Sequence, residues 1–494
     1  MTTEMKQLSL VLASAVALLL AACSEPIHVS GHCDVVPRLV PDYADVTIPC
    51  NIAPLSFGVE GMEEAALIIA GRNDSICLTT QDGCFSPSAK AWRRLLEQEK
   101  GHALQLTICR RSAEGWEAMK PVELRVSADS IDPYLVYRRI TPGYGLWNRM
   151  GIYQRCLENY DETPLYENRY GRGNCVNCHS FCEGNPERWQ VHVRYRQAGT
   201  YIFDGLEQQK LKLQNPSQGK PVYANWHPEE RMVAYSTNAT FFLIHTRKAN
   251  RWEVMDDRSD VMVTDVETGQ SYSAPQIASE ESLETWPCFS PDGHWLYFCT
   301  AKAPVDSTVI ERYDSIRYSL CRIAFDASTR TFGQRVDTLY NAEEDGGSAS
   351  LPRVSPDGRW LCFVRSAYGN FSICHRDADL CMIDLNDEHR GIIGQPDANS
   401  AEHVDSWHSW SRNSRWLVVS SKRGDGIYTR PYLTHVGEDG TLSKAFVLPQ
   451  KNAPAAYDLE MDCYNLPELV TGPVRGRLHP SNDGAQPVME SGVN

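Results

Sequence analysis

The segment FSPDGHWLYFCT at residues 289–300 decides the fold, because the chain repeats its pattern of a tight corner followed by an apolar, aromatic-rich strand. Pro291 fixes φ at the first position of the corner, Asp292 can bond back to the backbone, and Gly293 ends the turn without a Cβ clash. Three more segments align with it without gaps: WHPEERMVAYST from Trp226, VSPDGRWLCFVR from Val354 and WSRNSRWLVVSS from Trp410.

The spacing of these segments predicts the architecture. Their starts lie 63, 65 and 56 positions apart, which leaves room in each unit for four short strands and variable loops. Such a unit cannot bury its face alone, whereas several units arranged radially bury one another's faces. A weaker unit at 191–205 brings the count to five. We therefore predict an all-β chain with a propeller of five or six blades over residues 191–470.

The residues on either side of the repeats predict three more regions. Residues 33–140 alternate strand-like runs with turn residues and contain one helical stretch, which indicates a small β-sandwich domain. Residues 141–190 are rich in tyrosine, tryptophan and glycine and are interpreted as a connector between this domain and the propeller. Residues 471–494 are polar, with glycine and proline, and are predicted to form a flexible tail.

The N-terminus has the pattern of an exported lipoprotein. Lys6 precedes an apolar run at 8–22 that is shorter than the ~20 residues needed to span a bilayer, so residues 1–22 are predicted to be a signal peptide. The run closes on LAAC, which resembles the lipobox of bacterial lipoproteins and predicts lipidation of Cys23, with a linker over 23–32. The residues directly after Cys23 are Ser24 and Glu25 rather than an aspartate, which favours the outer membrane. The alternative is a buried helix that ends in an incidental cysteine.

The segment GRGNCVNCHSFCEG at 171–184 contains a CxxCH motif, the usual attachment signal for a c-type haem. Cys175 and Cys178 can each add to one vinyl group of the haem, and His179 can offer its imidazole to the iron. The motif therefore predicts covalent haem c. His192, thirteen residues after His179, is the first candidate for the sixth iron ligand, and Met150 is the second.

Two other interpretations of the motif stay open. Cys175 and Cys178 can form a disulfide, or they can join His179 and Cys182 in a Cys3His zinc site. Fourteen cysteines remain after the lipid and haem positions are set aside, an even number that can be partly or wholly paired in an oxidising compartment. Cys374 and Cys381 flank a short turn and are the pair to test first.

Other candidate residues have a structural interpretation beside a functional one. Several tryptophans near the blade starts can line a binding surface or pack between blades, and packing is favoured. His227 and His408 precede corners and can face the propeller channel, although a structural role is favoured for each. Asp265, Asp384 and Asp405 lack a calcium-loop spacing and are interpreted as turn formers. The tryptophans are Trp226, Trp286, Trp407 and Trp410.

Composition and missing motifs exclude several classes of protein. The formal net charge is −15 and no run of lysines or arginines forms a basic stripe, so nucleic acid is not an expected partner. The sequence contains no GxSxG, HExxH, GxxxxGK[ST] or dinucleotide fingerprint. A hydrolase or an NTPase therefore finds no support, and a non-enzymatic role is favoured over an enzymatic one.

The SPDG corners followed by aromatic strands resemble the TolB-like propeller repeat. Together with the lipobox and RGNCVNCHSF, they make the chain similar to a family of Gram-negative propeller lipoproteins described as cytochrome c-like or TolB-like. The resemblance covers about residues 41–469, although the unit at Trp410 has RNS in place of the Pro-Asp-Gly corner.

This resemblance implies a lipid-anchored envelope protein, periplasmic or surface-exposed, with one haem. It would transfer electrons to a redox partner or sense a redox state or a ligand. The alternative is a non-redox scaffold whose propeller binds a protein or a glycan.

Overall fold

The structure is a computed structural model that describes residues 27–142, 149–169, 173–214, 221–246, 248, 250–305 and 307–480. The predicted signal peptide, Cys23 and the tail beyond residue 480 lie outside these residues. Strands dominate the described chain and confirm the all-β prediction. No helix in the described part is long and apolar enough to cross a membrane.

The N-terminal domain consists of two sheets and one helix. The elements are β1 (Val29–His32), β2 (Leu39–Val40), β3 (Val46–Ile48), β4 (Phe57–Val59), β5 (Ala65–Ala70), β6 (Ser75–Thr80), β7 (Cys84–Phe85), α1 (Ala89–Gln98), β8 (Ala103–Ser112), β9 (Gly115–Ala118) and β10 (Val122–Val126). Ser88 caps the helix by accepting a hydrogen bond from the Ala91 N–H. A seven-stranded sheet has the order β1-β9-β8-β10-β3, with β5 on β8 and β6 on β5, and a three-stranded sheet has the order β2-β4-β7.

The described residues after this domain form six four-stranded antiparallel sheets. The first joins β11 (Tyr134–Ile140), β12 (Met150–Cys156) and β13 (Glu162–Glu167) to the last strand, β34 (Cys463–Val470). The others are β14 (Cys175–Phe181), β15 (Arg188–Arg194), β16 (Gly199–Asp204), β17 (Glu207–Lys210); β18 (Pro221–Trp226), β19 (Met232–Ile244), β20 (Trp252–Asp265), β21 (Ser271–Tyr272); β22 (Ser282–Phe289), β23 (Trp295–Lys302), β24 (Ser319–Asp326), β25 (Thr331–Tyr340); β26 (Ser348–Val354), β27 (Trp360–Ser366), β28 (Asp379–Asp384), β29 (Ile393–Gly394); and β30 (Asp405–Trp410), β31 (Trp416–Ser421), β32 (Arg430–His435), β33 (Phe446–Val447).

Short helices lie in the connections between these strands. They are α2 (Val309–Arg312), α3 (Ala342–Asp345) and α4 (Ala453–Leu459), with single 3-10 turns at Cys182–Gly184, Tyr313–Ser315, Ser372–Cys374 and Glu388–Arg390.

The innermost strands of the six sheets close into a ring. Strand β14 contacts β18, β18 contacts β22, β22 contacts β26, β26 contacts β30, β30 contacts β34, and β34 returns to β14. Six sheets around one axis are the blades of a β-propeller, and the prediction of five or six blades resolves to six. The last strand of the chain completes the first blade.

The domain boundaries differ from those predicted. The propeller begins at β11 rather than at residue 191, and residues 141–190 supply β12, β13 and β14 rather than a connector. These strands lack the SPDG corner, and the first blade takes its inner strand from the far end of the chain. Local sequence patterns therefore did not identify them as a blade.

The N-terminal domain packs on the joint that closes the ring. One buried cluster contains Leu67, Leu106 and Trp92 of the N-terminal domain together with Trp416 of the sixth blade and Tyr464 of β34. This shared core makes the two domains depend on each other for burial of apolar surface.

Polar contacts reinforce the closing pair of strands, β11 and β34, whose register runs from Ile140 opposite Cys463 to Tyr134 opposite Val470. The guanidinium of Arg139 donates to Glu162 at 2.8 Å, to Glu460 at 2.9 Å and to Asp462 at 3.0 Å. Its side chain is 20% exposed, so most of this network is shielded from water.

We expect Arg139→Ala to lower the free energy of unfolding by about 3 kcal/mol, because it leaves the shielded carboxylates of Glu162 and Glu460 near the closing joint without their cation. The matched control is Arg125→Ala, which removes an exposed pair with Glu123 and should change the free energy by less than about 1 kcal/mol. Urea unfolding followed by tryptophan fluorescence measures both. Equal effects would show that Arg139 does not stabilise the joint.

Candidate functional site

Each innermost strand carries a β-bulge at the same level of the channel. The strand register shifts there in all six blades. Five bulge residues have φ between 52° and 54°, a left-handed conformation that non-glycine residues seldom adopt. The bulges lie at Cys178–His179, Tyr223–Ala224, Trp286–Pro287, Leu351–Pro352, Trp407 and Leu466–Pro467.

The bulges surround a cavity of about 140 Å³. Its remaining walls come from the strand ends and from the corners that follow the innermost strands, so it lies toward the corner end of the channel. Arg412 and Glu183 form an ion pair between the corners of the sixth and second blades and line the same cavity. All six bulge positions line it: Cys178, Tyr223, Trp286, Leu351, Trp407 and Leu466.

Aromatic side chains form much of the wall. The rings of Tyr223 and Trp286 stack with centroids 3.6 Å apart, and the Trp286 indole N–H donates to the Asn370 carbonyl at 3.1 Å. Trp407 and Trp410 also line the cavity, whereas Trp226 packs in the core and donates to the Ser180 carbonyl. Three of the four tryptophans considered from the sequence therefore face the channel.

The CxxCH motif lies on β14, the innermost strand of the second blade, and not on a helix. Cys178 occupies the bulge and lines the cavity. Cys175 instead packs against the apolar cluster between the first and second blades, which contains Val176 and Met150. The two sulfur atoms therefore lie in different surroundings.

His179 lines the cavity with a fully buried side chain. Neither ring nitrogen makes a well-directed hydrogen bond. Burial, with a smaller effect from the Arg138 guanidinium, lowers the pKa of His179 to about 3, and the nearby backbone carbonyls of Leu466 and Val136 oppose this only in part. The imidazole is therefore neutral at physiological pH, with one donor and one acceptor unsatisfied.

Glu468 faces His179 from the neighbouring strand β34. Its Oε1 lies 3.6 Å from His179 Nε2, and its Oε2 accepts the Phe181 N–H at 3.0 Å. Burial raises the pKa of Glu468 to about 7, although the Phe181 N–H and the Arg353 guanidinium lower it. This carboxyl can therefore exchange a proton near neutral pH.

His408 is a second neutral imidazole at the cavity. Its Nε2 lies 3.2 Å from the Cys362 carbonyl, which requires Nε2 to carry the hydrogen. Nδ1 is then an acceptor, and it has no hydrogen-bond partner in the described part of the chain. Burial and the Arg353 guanidinium lower the pKa of His408 to about 3.

The residues considered as sixth iron ligands do not line this cavity. His192 lies on β15 opposite Asn177, and its Nδ1 is 3.0 Å from the Thr200 hydroxyl. Met150 lies on β12 in the core between the first and second blades, where its sulfur accepts the Val176 N–H at 3.2 Å. The structure brings Cys178 and His179 to one cavity but leaves Cys175, His192 and Met150 outside it.

A porphyrin does not fit the site as it stands. Pockets for cofactors of this size hold about 300–1,000 Å³, against about 140 Å³ here, and both thiols would have to face one ligand.

The structure does not support the zinc alternative, because no group of three or more metal-binding side chains occurs within the described ranges. Cys178 and Cys381 carry free thiols, so neither disulfide considered from the sequence is formed.

The remaining candidates have structural roles. His227 Nδ1 accepts the N–H groups of Glu229 and Glu230 and so caps the corner of its blade. Asp265 accepts the N–H groups of Glu267 and Thr268, as a turn former does. Asp384 likewise accepts the Asn386 N–H, and Asp405 accepts the Ser400 N–H and pairs with Arg423.

Sequence reasoning missed Glu468 and Arg353, which supply the charge beside the two imidazoles. A signal for their positions exists, because each stands one residue after a Leu-Pro pair, in LPRV at 351–354 and in LPEL at 466–469. Trp286 and Pro287 stand at the same distance before SPDG at 290–293 as Leu351 and Pro352 do before SPDG at 355–358. Aligning these pairs would have placed all three strands at the channel.

Comparisons with known proteins show a similarity between the fold of this chain and theirs, and nothing more. No profile of a protein family matches the chain, and no curated protein is similar to it. Solved structures with some likeness include TolB from Acinetobacter baumannii, with 12% identity over 75% of this chain and 79% of that one and a TM-score of 0.41.

Two further structures are similar at the same level. An oligogalacturonate lyase in complex with manganese is 12% identical over 62% of this chain and 70% of that one, with a TM-score of 0.33. Prolyl oligopeptidase B from Galerina marginata, bound to a 25mer macrocyclization substrate, is 12% identical over 63% and 45%, with a TM-score of 0.36. All these TM-scores are below 0.5, so the six blades are assigned from the sheets of this chain.

We expect His179→Phe to raise the free energy of unfolding by about 1–3 kcal/mol at pH 7, because an apolar ring removes two unsatisfied buried nitrogens. The gain should grow as the pH falls from about 6.5 toward 3. In that range the unfolded histidine binds a proton that the folded one, with its lowered pKa, does not. Urea titrations at several pH values measure this.

The matched control is His227→Phe, which removes an acceptor used by two backbone N–H groups and should destabilise the protein at pH 7 by about 1–2 kcal/mol. Destabilisation by both variants would mean that the His179 imidazole is satisfied in solution.

Proposed function

We propose that this chain is a binding protein of the cell envelope whose propeller holds one small polar group of a partner at the corner end of its channel. The observation that carries the proposal is the unsatisfied hydrogen-bonding capacity of His179 and His408 inside an aromatic-lined cavity. Each unsatisfied buried polar atom costs about 1–3 kcal/mol. A bound group that bonds to these nitrogens recovers part of that free energy.

The size and lining of the cavity favour one class of group. A dry cavity of about 150 Å³ in another protein holds one benzene ring, so about 140 Å³ suits a single planar group. Trp286, Tyr223 and Trp407 offer apolar contact, while His179 and His408 offer a donor and acceptors. A side chain with a planar polar end, carried by a loop of a partner protein, matches this combination better than an extended glycan.

Attachment to the membrane belongs to the same proposal. The pattern at residues 1–23 supports export and a lipid on Cys23, with the outer membrane as the destination. The propeller would then be a folded body on a lipid tether, on the periplasmic or outer side.

A covalent haem on the CxxCH motif, with transfer of electrons to a redox partner or sensing of a ligand, is the second candidate function. The observation that favours it is the buried, neutral imidazole of His179, whose nitrogens have no hydrogen bond. The misfit described above opposes it, because Cys175 would have to leave the core between two blades and the channel would have to widen. When bound, a haem supplies redox chemistry or a site for a small ligand.

Phenol and toluene test the first candidate, because they have the same shape and differ by a hydroxyl group. We expect phenol to quench the fluorescence of the channel tryptophans. It should bind at least about tenfold more tightly than toluene, because one hydrogen bond contributes about this difference in affinity. His179→Phe should reduce this preference. Equal binding of both probes, or binding of neither, would contradict the proposal.

Intact mass spectrometry tests the second candidate on protein exported by a host with a haem-attachment system. Covalent haem adds roughly 616 Da to the mass of the chain and gives a reduced-minus-oxidised visible spectrum. Both signals should disappear in the double variant Cys175→Ser, Cys178→Ser. A wild-type mass without this addition would exclude the haem and leave the binding proposal unaffected.

A further inference from the structure

A long hairpin projects from the third blade, at the end of the channel opposite the corners. Strands β19 and β20 pair from Met232 opposite Asp265 to Ile244 opposite Trp252, whereas the inner strand β18 pairs with β19 only as far as Thr237. Beyond that point the edge of β19 on the β18 side, residues 238–244, has no strand beside it in the described part of the chain. The hairpin therefore has an open edge.

The backbone groups on this edge can be assigned from the ladder. The His245 N–H donates to the Arg251 carbonyl at 2.8 Å. Bonded and non-bonded positions alternate in an antiparallel pair, so Leu243 and Phe241 bond to β20. The N–H and C=O groups of Thr240, Phe242 and Ile244 then point to the open edge. Only another extended chain offers donors and acceptors at the matching spacing.

The side chains along the edge are apolar and exposed. Phe241 is 43% exposed, Phe242 is 50% exposed and Ile244 is 63% exposed. The window NATFFLIHT at 238–246 has no Asp, Glu, Lys or Arg and no glycine or proline, in a chain of net charge −15. Exposed edges usually carry charged residues or proline that prevent pairing. This edge lacks such protection.

Side chains of the fourth and fifth blades hold the hairpin in position. Glu253 on β20 accepts from His375 Nε2 at 3.0 Å, and both side chains are 2% exposed. Asp256 accepts from the Asn370 side chain at 2.6 Å, and the Tyr313 hydroxyl lies 3.1 Å from His245 Nε2 near the tip. The open edge is therefore presented by a fixed support, which lowers the entropy cost of adding a strand.

We propose that a second copy of this chain adds its own β19 antiparallel to this edge, so that the two hairpins form one continuous four-stranded sheet about a two-fold axis. The window is self-complementary. With the two-fold axis at Phe242, Phe242 of one copy faces Phe242 of the other. Phe241 of one copy then faces Leu243 of the other, and Thr240 faces Ile244. Aromatic and β-branched pairs of this kind stabilise antiparallel strands. No like charges meet within residues 238–246, although the two chains carry the same net charge.

The size of the contact sets the strength of the pairing. Seven residues from each copy bury much less than the ~1,600 Å² of a standard stable interface. The dimer therefore forms with modest affinity and depends on protein concentration. Its closed symmetry limits assembly through this contact to two copies, because both copies use the same edge, residues 238–244, and use it fully.

The experiment is sedimentation of the full chain in density-matched detergent over a range of concentrations, with a charge exchange at the axis. Because Phe242 faces its own copy, Phe242→Glu and Phe242→Lys should each weaken self-association at least tenfold by placing like charges together. A mixture of the two variants should associate at least as tightly as wild type, since opposite charges then face each other. Phe242 is half exposed, so the thermal melting of each variant should match wild type.

A second control distinguishes strand pairing from non-specific association. Val305→Glu changes a residue that is 92% exposed outside the hairpin and should leave association unchanged. The proposal is overturned if wild type remains monomeric at all concentrations, in which case the edge serves a different polypeptide or none. Two other results would overturn it equally. The first is that the Glu and Lys variants fail to associate when mixed; the second is that either variant alone associates as tightly as wild type.

Discussion

Closure of the ring is the constraint on which the rest of this structure depends. Each blade buries its faces only against two neighbours, so six blades are stable together only if the first also meets the sixth. The chain achieves this by pairing its last strand, Cys463–Val470, with Tyr134–Ile140, more than 300 positions earlier in sequence. The N-terminal domain packs over this joint and shares one apolar core with the sixth blade and with Tyr464. The domain in front of the propeller therefore stabilises the contact that closes it.

The same closure creates the candidate site. Six innermost strands meet around a narrow axis, and each contains a bulge that turns one residue toward the channel. The left-handed backbone at Cys178, Tyr223 and Trp286 is unfavourable for residues with side chains, and two buried imidazoles there have unsatisfied nitrogens. Proteins tolerate such local costs mainly where a function requires them. This agreement of strain, unsatisfied polar atoms and a cavity in one place is the physical basis of the binding proposal.

Antiparallel blades separate the two proposed contact regions. In each blade the first turn lies at one end of the propeller and the second turn lies at the other end. The corners surround the cavity beside His179 and Glu468, whereas the hairpin formed by Met232–Ile244 and Trp252–Asp265 extends from the opposite end. A group bound in the cavity and a second copy paired through the hairpin would therefore not compete for space.

The sequence by itself determined the repeating unit and the all-β class, because a Pro-Asp-Gly corner and the strand after it are set by neighbouring residues. It also singled out Cys178 and His179, since their spacing is a local pattern. It could not show that this pattern lies in a strand bulge, with Cys175 directed to a core and Cys178 to a channel. Nor could it identify the first blade, or bring Glu468 beside His179. Those features depend on strands that are distant in sequence and meet only when the ring closes, so the tertiary structure alone decided them.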